Sequence, residues 1–426
     1  MDEKATALIA AVRSGDAAAV GALLEAGADA EATDEHGTPL LCLAVDTFDL
    51  SVVDPLLSWG VRLDRPAGDG RTPLLRAVGL GAYGIAQALI SRGASLRFRD
   101  ADGRDALALA RHWHETGAEA ELRRRSGAPG PAGRRILSTD TDTTCEELSL
   151  GGLTVRTGHT AILTELEPRY GITVGFEELL SRALAEPDVE REVWWAALST
   201  LQKRAEAAVW DAAAALRERP DPLARYFGAR LLHLVIVLDD SEDETFDRPL
   251  VDVLLPWAAQ EEDVRVMRAL AAALADAFDD RAARPLPALA RHADAEVRGW
   301  AVSGLYGQVS RGHPEALAAA AACTRDPAAE VRGHACRVLG QAPAGSTAAS
   351  DALAACLCDR DEAVRVQAAV RLALRDDPRA DEVLDGLGAV DGTSPYYWDL
   401  DSVWRHRERS ATQTPGAGAA PGAANS

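Results

Sequence analysis

Thr38-Pro39-Leu40-Leu41 returns as Thr72-Pro73-Leu74-Leu75, 34 residues on, and a worn copy, Asp105-Ala106-Leu107-Ala108, follows 33 later. A fixed beat of this length marks a stack of supersecondary units rather than one compact core. Threonine can cap a helix, and proline suits its first turn, where the amide has no partner anyway. Gly27, Gly60 and Gly93 keep the same beat and fall where a second helix must stop, as a left-handed C′ residue does. Leu23-Leu24, Leu56-Leu57 and Leu89-Ile90 supply the buried face of that second helix. Before each motif stands a turn: Asp34-Glu35-His36-Gly37, Gly68-Asp69-Gly70-Arg71 and Asp102-Gly103-Arg104.

This arrangement resembles the ankyrin repeat: a turn with Asp and Gly, Thr-Pro-Leu-His opening a helix, a second helix, then a glycine before the next hairpin. The histidine of that pattern is replaced by Leu41 and Leu75, so apolar packing is expected in place of its hydrogen bonds. The first repeat (5–36) and the last (105–125) are degenerate, as terminal repeats are. The resemblance implies protein contacts at the hairpin tips and along the groove side of the first helices. Here the candidates are Asp34, Glu35 and His36; Arg65, Asp69 and Arg71; and Arg97, Arg99, Asp102 and Arg104.

Residues 126–133, rich in Gly, Pro and Ala, read as a break between domains. The arginines on either side, Arg123 to Arg125 and Arg134-Arg135, read as a solvated helix end and linker. Alternation around Gly151-Gly152 suggests a short β-hairpin over 148–155, which would need a helical neighbour to lie on.

From about residue 175 a second beat sets in: an acidic turn, then Val-Arg, then small and apolar residues. Arginine recurs at 265, 298, 332 and 365, with looser copies at 191 and 225. Leucine stands seven residues after five of these six, at 198, 232, 305, 339 and 372, two helical turns along one face. The pattern resembles the short bacterial HEAT repeat, in which acidic residues and arginines form a ladder between neighbouring repeats. That resemblance makes Arg191, Arg225, Arg265, Arg298, Arg332 and Arg365 structural. The 40-residue step from Arg225 to Arg265 holds an acidic insertion, Asp239-Asp240-Ser241-Glu242-Asp243-Glu244-Thr245-Phe246-Asp247. It fails as a calcium loop, since Glu244 stands for the turn glycine and Leu250 for the bidentate glutamate. Asp240, Glu242, Asp243 and Glu244 are instead candidates for contact with a basic partner.

The expected architecture is therefore all-α: two helical-repeat solenoids joined by a linker with a short hairpin. The expected segments are ankyrin repeats over 1–125, a linker over 126–174, about six HEAT-type repeats over 175–392, an aromatic cap over 393–409 and a disordered tail over 410–426. The cap rests on Tyr396, Tyr397, Trp398 and Trp404; of the neighbours Trp194 and Trp195, one is expected to be partly exposed.

Composition agrees. Hydrophobic residues make up 47 % of the 426, aromatics only 5 %, and alanine is abundant, which favours helices. The net charge of −21 opposes phosphate-driven nucleic-acid binding and adsorption to anionic membranes. Lys4 and Lys203 are the only lysines, and together with the abundant Ala, Gly and Arg this suggests the coding bias of a high-GC bacterial genome. Six cysteines without a CxxC pair point to a reducing compartment. No basic leader with an apolar run and no stretch of roughly 20 apolar residues is seen, so a cytoplasmic protein is expected.

No catalytic motif emerges, and no cofactor or metal is expected. Gly79-Leu80-Gly81-Ala82-Tyr83-Gly84 has the letters of a dinucleotide loop, but no strand precedes it, and a turn between helices is the reading adopted. His112 and His114 lie two apart and would face different sides of a helix. A lone His114-Glu115 pair does not resemble the HEAT-like iron hydroxylases. The cysteines, Cys356 and Cys358 among them, read as buried inert thiols. The function expected is a non-catalytic interaction scaffold with protein partners. The alternatives are a HEAT-repeat enzyme of bilin-lyase or DNA-glycosylase type, or an acidic inhibitor of a nucleic-acid-binding protein.

Overall fold

The computed structural model describes residues 3–139, 143–238, 247–387 and 392–413. It divides into two compact units, Met1–Ala212 and Ala213–Ser426. The candidates Asp240, Glu242, Asp243 and Glu244 lie outside the described residues, as does the tail from 414 onward.

The first unit opens with four helix pairs: α1 (Glu3–Ser14) with α2 (Ala17–Glu25), α3 (Leu40–Asp46) with α4 (Leu50–Trp59), α5 (Pro73–Leu80) with α6 (Tyr83–Ser91), and α7 (Ala106–Thr116) with α8 (Ala118–Ser126). First helices stack on first helices from α1 to α7, and second helices on second from α2 to α6, while α8 packs on α7 and on the strands that follow it. Thr72 caps α5 by accepting from the Leu75 amide, and Asp105 caps α7 through Ala108. The helix α3 starts one residue later in its motif and has no side-chain cap. Gly27, Gly60 and Gly93 all have positive φ, as their place after a helix end requires. Leu41 and Leu75 are buried, so apolar packing does replace the missing histidines.

The turns inside the pairs show a second beat. Gly15, Phe48 and Gly81, 33 residues apart, and then Gly117 all have positive φ. Phe48 holds that conformation without glycine's freedom, and the guanidinium of Arg156 sits 5.0 Å from its ring centroid.

The segment after α8 forms a three-stranded antiparallel sheet of β1 (Gly133–Ser138), β2 (Thr144–Leu150) and β3 (Leu153–Arg156). The expected hairpin is β2–β3, turned by Gly151 and Gly152, both with positive φ. The strand β1 was not expected. Its arginines are not solvated linker charges: Arg135 pairs with Glu147 directly opposite, and Arg134 bridges Glu146 and Glu119. Arg124 and Arg125 both reach the fully buried Glu121. Leu148, Leu150 and Val155 share one hydrophobic core with the helix pairs. So do Ala161, Ile162, Leu163 and Leu166 of α9 (His159–Leu166), which packs on α7. The unit continues through α10 (Phe176–Leu184), α11 (Glu192–Gln202) and α12 (Ala207–Ala215), the last crossing the division.

The second unit alternates α13 (Pro222–Val237), α14 (Asp247–Ala258), α15 (Val264–Asp276), α16 (Leu286–Leu289), α17 (Ala295–Gly304), α18 (Tyr306–Ser310), α19 (Pro314–Cys323), α20 (Ala329–Leu339), α21 (Thr347–Ala355), α22 (Glu362–Ala373) and α23 (Asp381–Gly386). One layer runs α13, α15, α17, α20, α22. Asp221, Asp263, Asp294 and Asp361 cap four of its helices, and Ala328 leaves α20 without a side-chain cap. Leu232, Leu305, Leu339 and Leu372 are buried along this layer. A final helix α24 (Tyr397–Gln413) docks on α22 through Asp399, which accepts from Gln367 and Arg371. Of the aromatics expected to cover the end, Tyr396 and Tyr397 are half-buried while Trp398 and Trp404 are exposed, and Val403 of that helix is buried.

Candidate functional site

The hairpins before α3, α5 and α7 share one construction. The amide at 34, 67 or 100 donates to the carbonyl four residues on, and a glycine at 37, 70 or 103 donates back. In the first and third hairpins an aspartate fills the turn. Asp34 accepts from the amides of His36 and Thr38, and its other oxygen takes Arg13 at 2.8 Å. Asp100 accepts from Asp102 and Arg104 in the same way. Burial would raise both carboxyls, yet the amides and the arginine beside each hold them below the usual value. Ala67 occupies this place in the second hairpin, so the aspartate is a turn-former repeated with a gap.

This corrects several expected contact residues. Asp34 is a buried turn-former, not a tip. Arg104 is spent on Asp100 and Asp102. Arg65 donates to the Glu31 carbonyl at 2.7 Å and ties the first hairpin to the second. Arg71 lies half-buried near Gly79 and Leu109, toward the groove. What projects into solvent is Glu35, His36, Asp69, Arg97, Arg99 and Asp102, joined by Phe98, which no periodicity singled out because it belongs to no buried face.

The third hairpin also borders a cleft of about 510 Å³, lined by Leu96, Arg97, Arg99, Asp105, Arg169 and Tyr170. Arg169 and Tyr170 come from the 3-10 turn Glu167–Tyr170 that ends α9. The Tyr170 hydroxyl donates to the Leu96 carbonyl at 2.8 Å, which fixes the turn against the hairpin.

In the second unit the ladder is real but differently populated. Arg298 grips Asp326 with two nitrogens, at 2.7 and 2.8 Å, and donates back to the His292 and Ala293 carbonyls. Arg332 does the same with Asp359 and the carbonyls of Asp326 and Pro327. Arg225 repeats the pattern on Glu261, Arg219 and Pro220. Each guanidinium closes the end of the preceding turn and holds the next repeat at once. Arg265 does not take part: it is exposed and, among the described residues, its side chain reaches only Asp263 of its own cap. Arg268, one turn later, makes the bridge to Asp294 at 2.6 Å. Arg191, in the first unit, pairs within its own turn, with Glu186 and Asp188, and Arg365 reaches the carbonyls of Asp359 and Arg360.

The remaining titratable groups are mostly structural. Gly79 to Gly84 is the α5–α6 turn, with Gly81 as a left-handed cap. His112 faces Glu121 and His114 faces Thr160, on different sides of α7. His159 is buried and stacked on Trp113 at 4.2 Å, with Arg125 also 4.4 Å from that ring's centroid. Burial pushes the His159 ring down to about 3; the Gly79 carbonyl pulls the other way but falls short of hydrogen-bond geometry with either ring nitrogen. Burial also raises the Glu192 carboxyl to about 8, against the pull of Arg156 and Arg191. Trp194 is buried and donates to the Glu186 carbonyl, while Trp195 is half-buried. Cys358 is exposed, contrary to the expectation for it, and the other five thiols are buried. Among the described residues no group of three His, Cys, Asp or Glu side chains is placed to hold a metal, and no helix is long and apolar enough to cross a membrane.

A model of the ankyrin repeat matches residues 69–101, which run from the tip of the second hairpin through α5 and α6 into the third hairpin. A model of HEAT repeats matches residues 316–392, which include α20 and α22 with Arg332 and Arg365. The chain joins ankyrin and HEAT repeats. No curated protein matches it.

Proposed function

We propose that the ankyrin–HEAT chain is a non-catalytic adaptor that binds protein partners, with the ankyrin hairpin row as its principal face. The observation that carries this is the division of labour within each hairpin. Asp34, Arg65, Asp100 and Arg104 are buried or half-buried and build the turns, while Glu35, His36, Asp69, Arg97, Phe98, Arg99 and Asp102 are exposed, with Asp69, Arg99 and Asp102 also bracing the turns they sit on. Exposed polar and aromatic residues on a rigid scaffold are what a binding face needs. Both repeat types are generally interaction motifs. The HEAT layer offers a second face, and the ladder arginines serve its stacking rather than its contacts.

The test is affinity capture from native lysate with the full chain and with a variant carrying Glu35→Lys, Asp69→Lys and Arg97→Glu. A reproducible protein partner held by the natural chain and lost by the variant is the expected result. A retained small molecule or nucleic acid, with no protein partner, overturns the reading and moves a HEAT-repeat enzyme to the front.

A further inference from the structure

The hairpin row is not uniform in charge. The first hairpin carries Glu31 and Glu35. The third presents Arg97-Phe98-Arg99, with Arg97 making no side-chain hydrogen bond or ion pair among the described residues. Phe98 is 40 % exposed between the two arginines. A chain with a net charge of −21 would be expected to surround any site with carboxylates. At this cleft it does not. Of its lining residues Asp105 alone is acidic, and it caps α7 and takes Arg99 at 3.3 Å; behind the cleft the buried Glu165 takes Arg169 at 2.6 Å.

The cleft is also rigid. Tyr170 is bonded to the Leu96 carbonyl, and Arg169 donates to the carbonyl of Glu165 in α9. A second cleft shares Arg169 and is lined by Ile172, Thr173, Lys203 and Arg204, together with the buried Glu165 and one exposed carboxylate, Glu206. Lys203 is exposed and makes no side-chain hydrogen bond or ion pair among the described residues, and Arg204 is held by the Val174 carbonyl at 2.7 Å. Cationic groups therefore stand on both sides of Arg169, along a path made of the two clefts that share it, with the exposed Phe98 between Arg97 and Arg99 at one end and Glu206 at the other.

We infer that this path, from Arg97 and Phe98 across Arg169 to Lys203, receives an acidic peptide segment of a protein partner. Carboxylates of the segment meet Arg97 and Arg99, where a planar guanidinium can take a carboxylate through two parallel bonds. An apolar side chain of the segment covers Phe98. The inference rests on the interaction reading above and specifies the chemistry of the partner.

The probe is fluorescein-labelled hexaglutamate, titrated with the full chain and followed by anisotropy. Arg97→Glu is expected to weaken binding by about tenfold, since it replaces a favourable charge contact with a repulsive one. Phe98→Ser should leave hexaglutamate binding within about twofold, because that probe has no apolar side chain, but should weaken a labelled peptide with one tryptophan among glutamates. Arg337→Glu, an exposed arginine of α20, changes the net charge identically and should have no effect. Equal weakening by Arg337→Glu would show that net charge acts rather than the cleft, and would overturn the inference. So would the absence of hexaglutamate binding, or preferential binding of single-stranded oligothymidylate in an Arg97-dependent way. If hexaglutamate fails while a lysate partner is still lost on changing Glu35 and Asp69, the adaptor reading stands and this inference alone falls.

Discussion

A methyl group on Gly81 would sit 2.0 Å from the Arg156 carbonyl oxygen and 2.6 Å from the His159 ring, on a backbone with φ of +68°. Both the conformation and the space demand glycine. Gly60 has φ of +79° but nothing within 4 Å of a methyl group. The pair separates two costs. Gly60→Ala should lose about 1 kcal/mol from left-handed strain alone, and Gly81→Ala about 3 kcal/mol or more once the clash is added. Equal losses in urea unfolding would show that the 156–159 loop gives way freely. Glu192 makes a second residue-scale claim. Folded, its carboxyl keeps its proton up to about 8, whereas an ordinary one releases it near 4.5. The folded state thus binds the extra proton between those values, so stability falls as pH rises from about 4.5 to about 8 and is level above. Glu192→Gln should match the natural chain near pH 4.5 and exceed it at pH 9 in thermal melts; parallel curves would place the carboxyl in contact with water. The Thr-Pro motif and the glycine beat were legible because each has a local mechanical cause. The role of Asp34 was not, since a turn-forming aspartate and a surface aspartate have the same letter, and only the Asp34–Ala67–Asp100 spacing hints at the difference.

At the scale of elements, the ladder gives the sharpest contrast. Arg332 is buried and holds Asp359 with two bonds of 2.7 Å. Arg332→Ala strands a half-buried carboxylate and two carbonyls, and should cost about 3 kcal/mol. Arg265, exposed and bound among the described residues only to its own cap, should cost within about 0.5 kcal/mol when replaced by alanine. Arg268→Ala should fall between them. The order Arg332, Arg268, Arg265 in urea midpoints checks the register; a large loss at Arg265 would restore the spacing read from the sequence. That spacing misled because Val264-Arg265 imitates the Val-Arg pair at the right distance. Met267, with Ala271, packs against Val297, so the working pair is Met267-Arg268. The strand β1 was missed for a related reason. Arg134 and Arg135 look like linker charges until Glu146 and Glu147 lie across from them, and cross-strand pairing is a relation between segments that no window of one segment contains.

Across the whole molecule, the beats show that repeats exist but not where each unit closes. Residues 133–166 read as a linker with a hairpin because each strand is short and polar outside. Their inner face is buried with that of the helix pairs, and that face appears only once the pairs are folded. Charge is the other property of the whole. With 66 acidic residues against 45 lysines and arginines, and many arginines already paired, the excess is negative and self-repelling. Salt screens that repulsion, with a Debye length near 10 Å at about 0.1 M. Raising sodium chloride from about 0.02 M to about 0.3 M should therefore raise the melting temperature. The same salt should weaken hexaglutamate at the third hairpin, because there the contact is attractive. Opposite signs for the two responses are the expected outcome of one long-range excess and one local exception to it. A melting temperature that falls with salt would mean that ladder pairs such as Arg332–Asp359 outweigh the excess. Peptide affinity that is indifferent to salt would remove the electrostatic basis of the cleft while leaving the fold as described.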